Sequence, residues 1–448
     1  MRFASRAHPE RPVSFREALF TGLAPDGGLY HPVESPDLSG LFAGFDDSTP
    51  FVDLAAEMCA ALLSPELPAE RARQLARRAF TFAPLLRRLD EHVLLLELFH
   101  GPTCAFKDFG AQFLAAAMED FLGGEESRIQ VLVATSGDTG SAVAHAFHGR
   151  SNIDVVILYP SGRVSELQEK QLTTLGGNVH ALEVDGSFDD CQRLVKEAFQ
   201  DPAMRSRLRL TSANSINIGR LLPQILYYGF AATRREELDR EAPTVCVPSG
   251  NFGNLTAGVY AWRWGLPVRG FIAATNVNDV VPLYLADGRF TPRPSVQTLS
   301  NAMDVGNPSN FERLEELFKG DWKAMASLIE GRAVSDERTK KTMRRIYAER
   351  GLLVDPHTAV GCAATEDHLG AGSTGAGIVG AGGGAGAEQV IVLETAHPGK
   401  FSPIVRDATG TAPVLPERLA RCLTLPKKSF RMTTALPALA EFLLDSFG

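Results

Sequence analysis

The feature that most restricts the fold is a set of short apolar runs that do not alternate with polar residues. Ile129–Ala134, Val155–Tyr159, Val179–Val184, Val245–Val247, Gly270–Thr275 and Gln389–Leu393 are of this kind. A strand with one wet face alternates with period two, whereas a strand covered on both faces does not need to. Helical stretches lie between the runs. One continues through Val143–Phe147, another spans Glu166–Leu175 and closes at Gly176-Gly177, and a third spans Phe188–Phe199 with Ser187 in position to cap it. Parallel strands need crossovers, and helices supply them. The expected fold class is therefore α/β with open parallel sheets.

A length of 448 residues leads to an expectation of about three domains. The first 84 residues read differently from the rest: they are helical and loop-rich, with an irregular turn at Gly22–Tyr30, a charged helix at Arg71–Ala79 and a plausible boundary at Pro84. Gly370–Ala387 is low-complexity and glycine-rich, without the ordered spacing or Lys-Ser/Thr ending of a nucleotide loop, and reads as a flexible surface insertion.

A net charge of −8 argues against nucleic acid as the main partner, because phosphate backbones need a basic face. The six cysteines are widely spaced and signal neither a zinc site nor a disulfide framework, so no metal is expected and reduced cytosolic thiols are the simplest reading. The N-terminus has no apolar targeting segment and no stretch approaches a membrane span, so the expected location is cytoplasmic.

Chemistry concentrates in His100-Gly-Pro-Thr-Cys-Ala-Phe-Lys-Asp-Phe-Gly-Ala111. Lys107 lies between Phe106 and Phe109, beside Asp108, after a turn that follows the apolar run Val93–Leu98. Aromatic neighbours desolvate an amine and lower its pKa, which suits condensation with an aldehyde. A surface lysine after a turn is the plainer reading.

Three further segments share one pattern, a strand followed by a turn of small polar residues. They are Val131–Ser141, Val245–Leu255 and Val390–Pro398. Ligands bind at the carboxyl ends of parallel strands, so one cleft is expected to receive all three loops. Ser249-Gly-Asn-Phe-Gly-Asn254 resembles an anion cradle, with Gly250 and Gly253 permitting close backbone approach before a helix start. A turn that needs glycine only for packing fits the same residues. Ser136 and Thr139 offer hydroxyls around Asp138, suited to a carboxylate or to a helix cap. Thr395 offers a hydroxyl at a strand end, for a pyridine nitrogen or for the turn before Pro398. Asn214, Ser215 and Arg220 bring a guanidinium near a helix start, where it clamps a second phosphate or simply faces solvent.

Together, His100-Gly-Pro-Thr, Phe106-Lys-Asp-Phe109, Ala134-Thr-Ser-Gly-Asp-Thr-Gly140, Pro248-Ser-Gly-Asn-Phe-Gly253, Ala273-Ala-Thr-Asn-Val-Asn-Asp279 and Thr395-Ala-His-Pro398 resemble the threonine synthase family. Gly22–Tyr30 resembles that family's N-terminal domain. The match runs in order from about residue 13 to residue 403. Cys104 in place of a larger apolar residue, Gly399 in place of a usual small residue, and the glycine-rich insertion depart from the pattern; none removes a reacting group.

The resemblance implies a two-lobed fold of the tryptophan synthase β type, with an N-terminal domain at 1–84 and a catalytic region at 85–448. The smaller lobe would be near 125–235 and the larger lobe the remainder. It implies pyridoxal 5'-phosphate (PLP) as cofactor, carried by Lys107. Ser249, Gly250, Asn251, Phe252, Gly253 and Asn254 would hold its phosphate, Thr395 would face its ring nitrogen, and Asp138 would lie near its phenolic oxygen. Ser136 and Thr139 would bind the substrate carboxylate; Asn214, Ser215 and Arg220 would bind the substrate phosphate. The implied reaction is the last step of threonine biosynthesis: O-phospho-L-homoserine and water give L-threonine and phosphate, by γ-elimination and β-addition of water. A monomer or homodimer is expected. A serine or threonine dehydratase would share Lys107 and the cradle without needing a second phosphate site. A non-catalytic binding descendant would not need to keep Lys107, Asp138 and Thr395.

Overall fold

The computed structural model describes residues 1–123, 128–135, 137–239, 241–372 and 388–448. Ser136 and positions 373–387 of the glycine-rich segment therefore lie outside the described residues, and the expectations for them are not addressed by it.

Two short strands, β1 (Phe3–Ala4) and β2 (His31–Pro32), pair antiparallel near the N-terminus. The remaining strands are β3 (Leu85–Arg88), β4 (Val93–Glu97), β5 (Ile129–Ala134), β6 (Ile153–Pro160), β7 (Val179–Val184), β8 (Leu210–Ser212), β9 (Thr244–Pro248), β10 (Gly270–Thr275), β11 (Ile329–Ala333), β12 (Val390–Glu394) and β13 (Phe430–Met432). They form two sheets. The larger has the order β11-β10-β9-β12-β4-β3 and the smaller β13-β7-β6-β5-β8. Every pairing is parallel except β3 with β4. β4, β5, β6, β9, β10 and β12 are buried along their whole length, which is why their sequences carry no alternation. β13 lies outside residues 125–235 yet adds an edge to the smaller sheet, so the C-terminal segment packs with the smaller lobe rather than the larger.

The N-terminal segment backs the lysine-bearing helix. Phe51 and Phe80 stack edge-on or tilted against Phe109 at 5.5 and 6.2 Å between ring centres, and Phe80 also stacks on Phe113 at 6.3 Å. Burying each such ring contributes about 1.5–3 kcal/mol. Phe109 is thus committed to the core, and of the two aromatics expected around the lysine amine, Phe106 is the one whose ring lies beside it.

Candidate active site

Lys107 opens the helix Lys107–Leu122, one residue after the N-cap Phe106. The preceding loop is fixed by strand-like pairing to the end of β12. Phe106 N–H donates to the Thr395 carbonyl at 2.8 Å, His397 N–H donates to the Cys104 carbonyl at 3.0 Å, and Ala105 and Ala396 form an antiparallel bridge. Cys104 takes a positive φ of 58° to make this turn. The lysine and Thr395 are therefore neighbours by construction. Asp108 is buried and accepts from Thr103 N–H and Oγ1 at 2.9 and 2.7 Å.

The Lys107 amine lies 4.8 Å from the centre of the Phe106 ring. Its pKa is lowered, first by burial; Asp138 opposes this, while Lys400 and Arg220 add to it and Asp355 opposes it more weakly. A position at a helix N-terminus also disfavours a cation. A buried amine that gives up its proton more readily is a better nucleophile and proton acceptor.

The cradle after β9 has the geometry of an anion site. Phe252 adopts a left-handed conformation at φ 60° and starts the helix Gly253–Arg263, which has no side-chain cap. Among the described residues, no backbone acceptor pairs with the N–H groups of Gly253 and Asn254. Such free N–H groups attract an anion. Asn251 is held from behind, accepting from Asn310 and Ser309 N–H at 3.3 Å each. A Cβ on Gly250 would come within 2.7 Å of the Ala302 carbonyl oxygen, so Gly250 is required for packing as well. That wall is braced by Ala302 N–H donating to His357 Nε2 at 3.3 Å and by Asn276 Nδ2 donating to Asp304 at 2.9 Å. Ser249 spends its hydroxyl on the Val247 carbonyl at 2.8 Å. Asn254 accepts from Tyr227 and Tyr228 hydroxyls at 2.6 and 2.8 Å, and its buried Nδ2 has no partner among the described residues.

The Val131–Ser141 loop belongs to the other sheet. It follows β5, so the expected single edge is in fact two facing edges, one from each sheet. Thr135 Oγ1 accepts from Gly137 and Gly140 N–H at 3.0 and 2.9 Å and shapes the turn. Asp138 and half-buried Thr139 begin the helix Asp138–Phe147. Asp138 accepts from Gln168 Nε2 at 3.0 Å and pairs with Lys400 at 2.9 Å. Burial works to raise the Asp138 pKa, but Lys400 and Lys107 outweigh it and hold the carboxyl well below its ordinary range.

Asn214 uses both ends of its amide on Ala134, accepting from its N–H at 3.3 Å and donating to its carbonyl at 2.8 Å, which ties the ends of β8 and β5 together. Ser215 Oγ accepts from Asn310 Nδ2 at 3.3 Å. Arg220 sits within the short helix Ile218–Leu221, buried rather than exposed; it donates through Nη1 to the Ala213 carbonyl, and its buried Nε has no partner among the described residues. Burial lowers its pKa to about 10, with Asp108 opposing. A buried, charged group lacking a carboxylate partner is suited to receiving an anion.

Two residues in this site were not expected from the sequence. Lys400 is fully buried, two residues beyond His-Pro398, and carries no motif of its own. Arg313 is fully buried and donates to the carbonyls of Tyr30, Ser215 and Ile216 at 2.9, 3.2 and 2.7 Å, joining the N-terminal segment to the Asn214–Asn217 loop. The only sequence signal for either was an arginine or lysine beside an otherwise apolar or turn-forming segment.

Two facing parallel-sheet edges, a lysine at a helix start and a lysine-free anion cradle define a fold and site of the PLP-dependent type. A sequence family described as pyridoxal-phosphate dependent enzyme matches residues 78–393. Families described as threonine synthase N terminus and threonine synthase, C-terminal match residues 2–80 and 358–443. The chain is 44% identical to a threonine synthase of Haemophilus influenzae, over 98% of each chain, and 43% identical to that of Escherichia coli, over 97% of each. The crystal structure of the E. coli threonine synthase superposes with a TM-score of 0.90 at 42% identity over the whole of both chains. A PLP-bound threonine synthase from Brucella melitensis superposes at 0.89, with 34% identity, covering 100% of this chain and 99% of that one. The chain belongs to the threonine synthase family.

Proposed function

We propose that this chain converts O-phospho-L-homoserine and water into L-threonine and phosphate, with Lys107 as the reacting amine. The carrying observation is that the Phe106 N–H, one residue before Lys107, is bonded to the Thr395 carbonyl, which places the buried Lys107 amine beside the end of β12; its pKa is lowered by that burial. The residues present fit PLP: the free N–H groups of Gly253 and Asn254 suit its phosphate, and the Thr395 hydroxyl at the end of β12 suits its ring nitrogen. Bound there, PLP supplies an electron sink for charge developing on the substrate carbons.

The protein supplies the rest. Lys107 Nζ takes the proton from the substrate Cα and then serves Cβ, acting as general base within reach of both. The Thr395 hydroxyl carries no charge, so it stabilises a protonated ring nitrogen less than a carboxylate would and tempers side reactions. Asp138, held ionised, is assigned to the side of the phenolic oxygen. Thr139, with Ser136, is assigned to the substrate carboxylate, and Arg220, with Asn214 and Ser215, to the substrate phosphate. Asn214 and Ser215 act chiefly by holding their loop, given how fully their side chains are engaged. Closing the two sheet edges on the substrate excludes water until Cβ is ready to receive it.

A dehydratase has no use for a second anion site, and the unpartnered Nε of Arg220 favours the synthase. Release of phosphate from phosphohomoserine, measured beside release of ammonia from serine and threonine, tests the reading; ammonia release as the faster reaction would overturn it. The division at residues 84 and 85, a cytoplasmic location and a monomeric or homodimeric state belong to the same proposal. Among the described residues, no helix is long and apolar enough to cross a membrane.

A further inference from the structure

Lys400 is the best-placed side chain to which the mechanism above gives no task. It lies on the turn Pro398–Phe401, directly after the Thr395 loop, and its side chain has no exposed surface. Its ammonium makes two contacts of 2.9 Å, one to Asp138 Oδ1 and one to the Thr103 carbonyl. Three loops thus meet on one nitrogen: the lysine loop through Thr103, the smaller-sheet loop through Asp138, and the β12 loop that carries Lys400 itself.

Four charged groups act on Lys107 from different parts of the fold. Asp138 stands at the start of its helix, Lys400 on its turn, Arg220 in its short helix, and Asp355 just before the helix Pro356–Gly372. Asp355 is occupied by His357 Nδ1, at 2.7 Å, and by Thr358. Asp138 is the carboxylate with the larger effect on Lys107. An amine beside an uncommitted carboxylate holds its proton; one beside a carboxylate already claimed by another cation gives it up more readily. Two buried ammoniums close to a single carboxylate cannot both keep their charge cheaply.

We propose that Lys400 is a positioning residue for the reaction: by claiming Asp138 and the Thr103 carbonyl, it locks the loops of the two sheets together around Lys107 and competes with Lys107 for Asp138. This rests on the reading of Lys107 as the reacting amine.

The test reads Lys107 directly, in the protein free of cofactor. Acetic anhydride acetylates neutral amines only, so the extent of Lys107 acetylation across pH, read by peptide mass spectrometry, gives its titration midpoint. Lys400→Met is expected to raise the midpoint by a unit or more, seen as a tenfold loss of Lys107 labelling at a pH below both midpoints, while Lys400→Arg stays near wild type. An unchanged midpoint in folded Lys400→Met overturns the proposal. Lys400→Gln, closer in length and polarity, serves should Lys400→Met not fold. In the Asp138→Asn background the carboxylate that Lys400 claims is gone, so the same Lys400 substitution should shift the midpoint much less; an equal shift in both backgrounds would overturn action through Asp138. Failure of the underlying site reading shows separately, as Lys107→Ala retaining full turnover.

Discussion

The Phe106 N–H donates to the Thr395 carbonyl at 2.8 Å, so the residue before the reacting lysine is bonded to the threonine assigned to the ring nitrogen. These two residues lie almost 290 positions apart in the chain, in the loops that follow β4 and β12, and those strands are themselves paired in parallel register from Val93 with Val390 to Glu97 with Glu394. The register of one strand pair thereby sets the distance between two functional groups.

Gly250→Val tests the cradle. The added side chain meets backbone on the opposite wall, at 2.7 Å from the Ala302 oxygen and 2.9 Å from the Met303 Cα, where nothing flexible can yield. The cradle should open and PLP affinity fall tenfold or more. At Gly253 the contact is a side-chain nitrogen of Asn310 at 3.2 Å, so Gly253→Ala should cost less. Cofactor titration measures both, and undiminished affinity in Gly250→Val would return the loop to a packing role.

Arg220→Ala tests substrate choice. Leaving the substrate phosphate unpaired in a closed site costs on the order of 2–4 kcal/mol, a loss of roughly 30- to 1000-fold in kcat/KM for phosphohomoserine. The PLP spectrum should persist, and any activity on serine or threonine should fall much less. Equal losses on both substrate types would show that Arg220 serves the fold through Ala213 rather than the phosphate.

Arg313→Met tests the joint between the N-terminal segment and the site. The carbonyls of Tyr30, Ser215 and Ile216 would lose their buried donor together. The expected destabilisation is about 3 kcal/mol, with KM for phosphohomoserine raised because the Asn214–Asn217 loop is no longer held. Denaturant unfolding and steady-state kinetics check the two parts; a variant as stable as the parent contradicts the structural role.

His368 supplies a pH dependence of stability. It contacts Glu330 at 2.6 Å through Nδ1 and Glu388 at 3.2 Å through Nε2. Burial opposes charging, yet the two carboxylates win and raise its pKa from 6.5 to about 9. A raised folded-state pKa means that the stabilisation is complete below about pH 6.5 and is lost as pH rises through 9. The partner Glu388, bonded to His368 and lowered from 4.5 to about 2, contributes above 4.5 and loses its contribution as pH falls toward 2. Tm should therefore decline between pH 7 and 9.5, and His368→Gln should flatten that decline. A wild-type Tm that is level across the range contradicts the pairing.

Strand positions were legible because burial on both faces leaves a direct trace in composition; β5, β7 and β10 begin and end where the apolar runs do. The helix after Ser187 was legible because its capping box is local. The three loops were legible as chemistry because each lies within one short segment. Their arrangement was not. Nothing local tells that the β5 loop belongs to a second sheet, that β13 returns to complete that sheet, or that Phe109 turns into the core while Phe106 faces the amine. Lys400 and Arg313 escaped for the same reason: each acquires its meaning from partners hundreds of positions away.

The most direct test of the account is the absorbance of the PLP-loaded Lys107→Ala protein, recorded beside its turnover of phosphohomoserine. The parent should show a band near ~410–420 nm from PLP joined to lysine. Lys107→Ala should fold, lose that band and release phosphate at no more than background. A folded variant that keeps both the band and full phosphate release would contradict the assignment of Lys107 and the site built around it.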